Sequence, residues 1–303
     1  MTADATLTLN TPPHYRLSHT LNHVGMGARD PCLVVRGREA CWGLQGPTGP
    51  IAVAAVHEGD SLNVSTFGDD SQWMQPRLAD LFGLHDAPDN FHPSAAHLRT
   101  LAKKYRGMHL LKAPVLLTRL VQVVLFQLIT FHDATRAWRR LVAFAGEQAP
   151  GIARLRCPPD ATRLADVSIL RYKSLGISHK QAITLAEVAR AAHFVESLVN
   201  VGTSELIDGL QQIPGVGPWT ANYVAGTAHG AADAELLGDF HLPNTLAWIL
   251  SREQHADDAR MLELLEPHRP HRFRIVRWSW AEGMHAPRRG PRASYGGRRF
   301  DRQ

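Results

Sequence analysis

Residues 210–221 read LQQIPGVGPWTA, and this stretch decides how the second half of the chain is interpreted. We predict two helices joined by a tight turn, because glycine permits positive φ and close backbone contact, while Pro218 suits the first turn of a helix. The second helix would present unpaired N–H groups and its positive dipole end, which together attract an anion. The hairpin therefore predicts a phosphate site made of main-chain amides, with no readout of base sequence.

The candidate nucleic-acid contacts of this hairpin are Gly215, Val216, Gly217 and Thr220. An alternative is an ordinary pair of antiparallel helices whose glycines serve only the turn. A lone G-x-G would not separate the two interpretations. The apolar anchors Leu210, Ile213 and Tyr223 around the glycines make the pattern more specific, and they favour phosphate binding.

The two halves of the chain have different periodicities. Four short segments of β character each end at a glycine: CLVVRG (32–37), ACWGLQG (40–46), IAVAAVHEG (51–59) and SLNVSTFG (61–68). Later segments follow a helical pattern, and Ser178 with Gln181 forms a capping box before one helix. We predict an α+β protein: a small N-terminal β-rich α+β domain over 1–95, an all-α domain over 96–290 and an Arg-rich tail over 291–303.

Composition and charge narrow the class of protein. The 303 residues are 44% hydrophobic and 20% charged, which argues against disorder. Net charge is +5, but residues 267–303 hold ten arginines and two acids, so the positive charge is concentrated at the C-terminal end. The apolar run 120–131 is too short to span a membrane, and the N-terminus lacks the apolar core of a signal peptide. The three cysteines are isolated, so we expect a cytoplasmic protein without a metal centre.

The hairpin resembles that of the helix-hairpin-helix DNA glycosylase superfamily, and is nearest in pattern to the bacterial 3-methyladenine DNA glycosylase II (AlkA-type) branch. The resemblance covers roughly residues 108–280, and it includes LFQLIT (125–130) and YKSLGISHKQAITLAEVA (172–189). It implies that the helical domain is a glycosylase domain. The β-rich domain before it is also what that branch carries.

The resemblance implies a catalytic aspartate about twenty residues beyond the hairpin. Asp239, in LLGDFHLPN (236–244), is the candidate, and Asp233 is the competitor. Asp239 stands just before a predicted helix, where the dipole favours a carboxylate. The alternative is that Asp239 only caps this helix.

Trp219 decides the subclass that the resemblance implies. Superfamily members that also cut the strand carry a lysine at this position, which forms a Schiff base. Tryptophan cannot, and none of the lysines is near the hairpin: Lys103, Lys104, Lys112, Lys173 and Lys180. The resemblance therefore implies a monofunctional enzyme that uses water.

Three aromatic residues are the candidate base pocket: Trp219, Tyr223 and Trp280, with Trp278 as a rival for Trp280. A purine alkylated at a ring nitrogen is cationic, and cation–π contact attracts it by about 0.5–2 kcal/mol per ring. Such a base is already an activated leaving group, so one carboxylate suffices where other glycosidases use two. The alternative for each ring is packing in the core.

Duplex DNA would have to release the target base by flipping, which needs a residue to fill the gap. The resemblance implies Leu128 as this apolar wedge and Gln127 as a contact to the DNA backbone or the orphan base; the alternative for Gln127 is a buried, satisfied amide. In the basic C-terminal region, the candidate phosphate contacts are Arg274, Arg277, Arg288 and Arg289.

These observations predict a monofunctional DNA glycosylase that hydrolyses the N-glycosidic bond of alkylated purines, as the first step of base excision repair. Its partner is double-stranded DNA containing damaged bases, and we expect a monomer associated with the nucleoid and not with a membrane. No organic cofactor is implied, although the resemblance suggests a monovalent cation on hairpin carbonyls. The alternatives are a glycosylase for uracil, hypoxanthine or an oxidised purine, and a DNA-damage binding protein without turnover.

Overall fold

A computed structural model describes residues 3–22 and 24–287. An antiparallel sheet of five strands has the order β1-β5-β4-β3-β2. Its strands are β1 (Ala5–Asn10), β2 (Leu33–Arg36), β3 (Glu39–Gln45), β4 (Pro50–Glu58) and β5 (Ser61–Phe67), and a separate hairpin pairs β6 (Glu147–Gln148) with β7 (Arg156–Cys157). The four segments predicted from glycine-terminated β patterns form β2 to β5, whereas the sequence analysis did not identify β1.

Helices follow the sheet for most of the remaining chain. The α-helices are α1 (Leu17–Leu21), α2 (Ser71–Met74), α3 (Leu78–Leu81), α4 (Ala96–Lys104), α5 (Leu117–Phe126), α6 (Phe131–Ala145), α7 (Ala161–Ala165), α8 (Ile169–Ser174), α9 (His179–Arg190), α10 (Ala192–Ser197), α11 (Thr203–Gln211), α12 (Pro218–Ala228), α13 (Leu242–Ser251), α14 (Asp258–Leu265) and α15 (Arg272–Glu282). Short 3₁₀ segments lie at Gln75–Arg77, Pro88–Asn90, Leu198–Asn200 and Glu266–His268. The predicted fold class, a β-rich α+β region followed by helices, is confirmed.

Alternation along the strands gives the sheet a buried face. Leu62, Val64 and Thr66 of β5 point into the interior, and Val53 of β4 is paired with Thr66. These apolar residues join the helices in one continuous core, so the sheet and the helical region pack on each other. The β6–β7 hairpin covers part of the other face, where Cys157 is buried near Ala52.

Helix α5 is the central helix of the second half, and it packs against α9 and α12. Eight of its ten residues are buried, which explains why its sequence is apolar nearly all round. Of the apolar run 120–131, which predicts one buried helix, residues 120–126 lie in α5, whereas the chain leaves the helix before Leu128, which is exposed. Within the described residues, no helix combines the length and the apolar character needed to cross a bilayer.

The structure contradicts the predicted phosphate contacts at Arg274 and Arg277. Both lie on the buried side of α15, with 4% and 1% of their surface exposed. Arg274 donates to Asp86 across the interface with the N-terminal region, with Nη1 2.8 Å from Oδ2, and Arg277 donates to the Thr20 carbonyl at 3.4 Å. Side chains enclosed in this way cannot reach a DNA backbone. The other two candidates, Arg288 and Arg289, and the tail over 291–303 lie outside the described residues.

We predict that Arg274→Met lowers the free energy of unfolding by about 3–5 kcal/mol, because it leaves the carboxylate of Asp86 buried without its partner. Urea denaturation measures the loss. Arg36→Met, at the exposed end of β2, is the matched control and should unfold like the wild type. A stable Arg274→Met protein whose DNA binding depends less steeply on salt would restore the phosphate-contact interpretation.

Candidate functional site

The turn between α11 and α12 has two glycines with different structural roles. Gly215 has φ of +89°, and a Cβ atom there would lie 2.1 Å from Oγ1 of Thr184 on α9. The fold therefore requires glycine at this position. Gly217 is extended, and a Cβ atom on it would meet no atom within 4 Å. Space at Gly217 is not used by the described part of the chain, so it is available to a molecule that approaches the turn.

Main-chain donors are exposed on the same turn. The amides of Gly215, Gly217, Trp219 and Thr220 donate no hydrogen bond within the described residues. Val216 and the side chain of Thr220 are buried, and the Val216 amide donates to the Ile213 carbonyl at 3.0 Å, so of these two residues only Thr220 offers a main-chain amide to an anion. The turn can therefore hold an anion through N–H groups at the N-terminus of α12, as the sequence predicts.

A polar chain fixes the candidate wedge beside this hairpin. Gln181, from the predicted capping box, is buried, and its Nε2 donates to the Val124, Leu125 and Gln127 carbonyls at 3.0–3.3 Å. Gln127 in turn donates from Nε2 to the Gly215 carbonyl (3.0 Å) and to Oγ1 of Thr220 (2.9 Å). The side-chain nitrogen of Gln127 thus already donates its hydrogen bonds within the protein.

Leu128 follows directly, with φ of +59° and 86% of its surface exposed. Positive φ is uncommon for a leucine. The turn between α5 and α6 therefore presents a large apolar side chain to solvent. This is the geometry that a wedge requires, although the role of Leu128 in DNA stays a prediction.

Asp239 lies at the N-terminus of α13, where the sequence places it. Its Oδ1 accepts the amides of His241 (2.9 Å) and Leu242 (2.8 Å), and its Oδ2 accepts Nε1 of Trp219 at 3.0 Å. The carboxylate therefore has the local capping role, but it also borders a cleft. Three donors from two elements hold it in one orientation.

This cleft, about 470 Å³ in volume, is the candidate base pocket. A series of stacked rings forms one side: Phe131 on Phe126 (5.7 Å), Phe126 on Tyr223 (5.8 Å) and Tyr223 on Trp280 (5.2 Å). Trp219 is tilted against Tyr223 at 5.1 Å. The structure thus brings together the three predicted aromatic residues and Asp239.

The rivals named from the sequence have structural roles instead. Asp233 accepts Nε of the buried Arg272 at 2.8 Å, which uses its carboxylate in an ion pair. Trp278 is 5% exposed and stacks on Phe91 with ring centroids 5.3 Å apart. Neither residue lines the cleft.

Several residues of the cleft were not predicted from the sequence. Phe126 is the second residue of LFQLIT and Phe131 directly follows this stretch, so the pattern did contain a signal for both. Arg119 lies on α5, is only 4% exposed and still borders the cleft. A single arginine in an apolar run offers no sequence signal that it faces a pocket.

The Arg119 guanidinium is held by neutral oxygens. Nε donates to Oγ1 of Thr227 at 2.8 Å, and Nη1 donates to the Val24 carbonyl (2.6 Å) and to Oε1 of Gln122 (3.0 Å). Its Cζ lies 5.4 Å from the centre of the Tyr223 ring. Burial lowers the pKa of Arg119 and raises the pKa of the Tyr223 hydroxyl.

No group of three or more His, Cys, Asp or Glu side chains that could bind a metal occurs in the part of the chain that is described. For the suggested monovalent cation, the hairpin offers carbonyls, but those of Gly215 and Gly217 already accept hydrogen bonds from Gln127 and Ala221. The cation site stays a prediction.

The chain is similar in sequence to a known protein over part of its length. No family model matches the chain. A 122-residue stretch is 30% identical to DNA-3-methyladenine glycosylase 2 of Escherichia coli (strain K12), covering 40% of this chain and 43% of that protein. The match thus spans less than half the length of this curated relative.

Solved structures match over most of the chain. The 3-methyladenine DNA-glycosylase from Archaeoglobus fulgidus has a TM-score of 0.77 at 16% identity, over 90% of this chain and 96% of that one. An 8-oxoguanine glycosylase/lyase of Clostridium acetobutylicum, in complex with double-stranded DNA, has a TM-score of 0.69 at 10% identity, over 93% and 99%. The chain shares the fold of these DNA glycosylases. The resemblance inferred from the hairpin is confirmed.

Within this glycosylase fold, the two glycines of the hairpin provide a paired test. We predict that Gly215→Ala destabilises the protein by about 1–3 kcal/mol, through positive φ and the contact with Thr184. Gly217→Ala should keep stability within about 1 kcal/mol but weaken duplex binding about tenfold, because the methyl group occupies the approach to the amides.

Urea denaturation and fluorescence anisotropy with a short duplex at fixed salt measure the two effects. Gly202→Ala, at another helix start with no atom within 4 Å of the added Cβ, is the control for a methyl group at such a position. Unchanged DNA binding by Gly217→Ala would contradict a phosphate site at the hairpin.

A further prediction concerns the hydrogen bond from Trp219 to Asp239. Trp219→Phe keeps a ring packed against Tyr223 but removes the donor, so we expect base release to slow by about 10- to 100-fold as Asp239 loses its orientation. DNA affinity should change far less. Trp278→Phe, a buried tryptophan outside the cleft, is the control; equal effects of the two substitutions would show that Trp219 acts only through packing.

Proposed function

We propose that this protein is a monofunctional DNA glycosylase that hydrolyses the N-glycosidic bond of alkylated purines, of the 3-methyladenine type, in duplex DNA. The observation that carries the proposal is the position of Asp239, a carboxylate fixed by three donors at the edge of an aromatic cleft. Support comes also from the fold and from the names of the matched proteins, two of which are 3-methyladenine glycosylases.

Two roles are assigned to Asp239: its charge stabilises the positive sugar, and its carboxylate acts as a general base towards water. As the bond between C1′ and the base breaks, its electrons leave with the base and positive charge develops on the sugar. A carboxylate fixed in advance stabilises this charge without reorganisation. Water then forms a bond to C1′, and Asp239 accepts the proton that the water loses.

Absence of strand cleavage follows from the residue at position 219. A lyase step needs an amine that attacks C1′, and Trp219 supplies none. Among the described residues no lysine lines the cleft. The proposed product is therefore an abasic site in an intact strand, the first intermediate of base excision repair.

DNA recognition is assigned to the hairpin and to the turn after α5. The free amides of Gly215, Gly217, Trp219 and Thr220 would hold one phosphate, while Leu128 would fill the gap left by the flipped base. Gln127 joins these two parts, and its side-chain Oε1 accepts no hydrogen bond within the described residues, so it can still accept one from DNA. We propose that the protein acts as a monomer on damaged duplex DNA in the cytoplasm, associated with the nucleoid.

The test is release of free base from methylated duplex DNA, with strand cleavage before and after alkali as a separate measurement. We expect the wild type to release 3-methyladenine or 7-methylguanine without nicking, and Asp239→Asn to slow release at least about a hundredfold while binding DNA. Asp233→Asn, which removes a carboxylate outside the cleft, should still turn over. Intact DNA binding with no release by any variant would reduce the protein to a binding module.

A further inference from the structure

Arg119 is a buried cation that the mechanism above does not use. It lies in the first turn of α5 and borders the cleft beside Tyr223. Its Nε and Nη1 are bonded to neutral oxygens. Nη2 has no hydrogen-bond partner within residues 3–22 and 24–287, so one donor of the guanidinium is available to a base in the cleft.

No carboxylate forms an ion pair with this charge in the described part of the chain. Burial lowers the pKa of Arg119, and the charge of Asp30 offsets this only in part. The oxygens of Asp30 accept hydrogen bonds from Met26, Cys32 and Trp138 at 2.7–3.0 Å. The guanidinium of Arg119 therefore contributes a positive potential on the buried side of the cleft.

A second arginine reinforces this potential. Arg277 is 1% exposed, and burial together with the charge of Arg119 lowers its pKa to about 10. It therefore stays protonated at neutral pH, as does Arg119. The charges of both arginines act to lower the pKa of the Tyr223 hydroxyl, against the larger effect of burial, so both influence the ring in the middle of the cleft wall.

We propose that Arg119 is a specificity-determining residue whose fixed charge favours purine lesions that are uncharged, and that leave as anions, over lesions that carry a positive charge. This inference rests on the proposed glycosylase function and names the chemical class that the same cleft prefers. It also limits the cation–π argument from sequence, because the Tyr223 ring already attracts a cation belonging to the protein.

The charge balance of the reaction explains the preference. An uncharged purine takes both electrons of the C1′–N9 bond and departs as an anion, whereas a cationic alkylated purine departs neutral. Arg119 donates a charge-assisted hydrogen bond to the departing anion and keeps its own proton. Water supplies the oxygen that bonds to C1′, Asp239 takes the proton from this water, and the purine anion takes up one proton on release. Cationic lesions still react, since they are activated leaving groups, but they gain nothing from Arg119.

Single-turnover release from two duplexes tests the inference, one with a single hypoxanthine and one with a single 7-methylguanine. We expect wild type to release both bases. In Arg119→Gln, the ratio of the hypoxanthine rate to the 7-methylguanine rate should fall at least about tenfold. Arg119→Lys keeps the charge and should restore most of the ratio. Arg274→Gln removes a buried arginine outside the cleft and should leave the ratio unchanged.

The outcomes separate this inference from the proposed function. Equal loss of both activities in Arg119→Gln would mean a structural role and would overturn the inference, as would a wild type that releases 7-methylguanine but no hypoxanthine; the proposed function stands in both cases. Release of neither base by the wild type would overturn both. The wild-type rates can refute the inference even if Arg119→Gln does not fold.

Discussion

Two elements that lie twenty residues apart in the chain meet at one hydrogen bond, from Nε1 of Trp219 to Oδ2 of Asp239. Trp219 is in the first turn of α12, so its direction is set by the hairpin turn. Asp239 precedes α13, whose first amides hold its other oxygen. The segment proposed to bind the DNA backbone and the proposed catalytic carboxylate are therefore fixed to each other, and a shift of one displaces the other.

The hairpin is itself positioned by polar contacts that begin in an ordinary helix cap. Ser178 and Gln181 form the capping box of α9, yet the side chain of Gln181 also reaches the carbonyls at the end of α5. Gln127 continues from there to the Gly215 carbonyl. On the same helix, Thr184 leaves no room for a side chain at Gly215. Helix α9 thus sets the distance between the wedge turn and the hairpin.

Local patterns in the sequence were sufficient for much of this arrangement. The turn glycines, the strands β2 to β5, the capping box and the position of Asp239 before a helix all depend on neighbours within a few residues. The spacing of Trp219 and Tyr223 places them on one side of α12. The resemblance favours Trp280 over Trp278, but the helical pattern of α15 alone does not say which of the two faces the cleft.

The features that could not be predicted from the sequence depend on partners that are distant in the chain. Arg274 belongs to a region rich in arginine, and the pattern reports its charge but not its burial. Its partner Asp86 is 188 residues away in the chain, so the ion pair is visible only once α15 has packed on the N-terminal region. For Arg119 the sequence is misleading in the other direction. Its apolar neighbours correctly indicate a buried helix, but they give no sign that this one polar side chain borders a cleft.

The two charges at the cleft can be understood together. A path of contacts runs from Arg119 to Tyr223 (5.4 Å), from Tyr223 to Trp219 (5.1 Å) and from Trp219 to Asp239 (3.0 Å). Breaking a glycosidic bond to an uncharged base separates a positive sugar from a negative base. In the proposed roles, Asp239 faces the charge that develops on the sugar and Arg119 the charge that develops on the base, and both groups are in position before the reaction begins. A cationic base leaves as a neutral molecule and does not create the second charge, so under this proposal it gains nothing from Arg119.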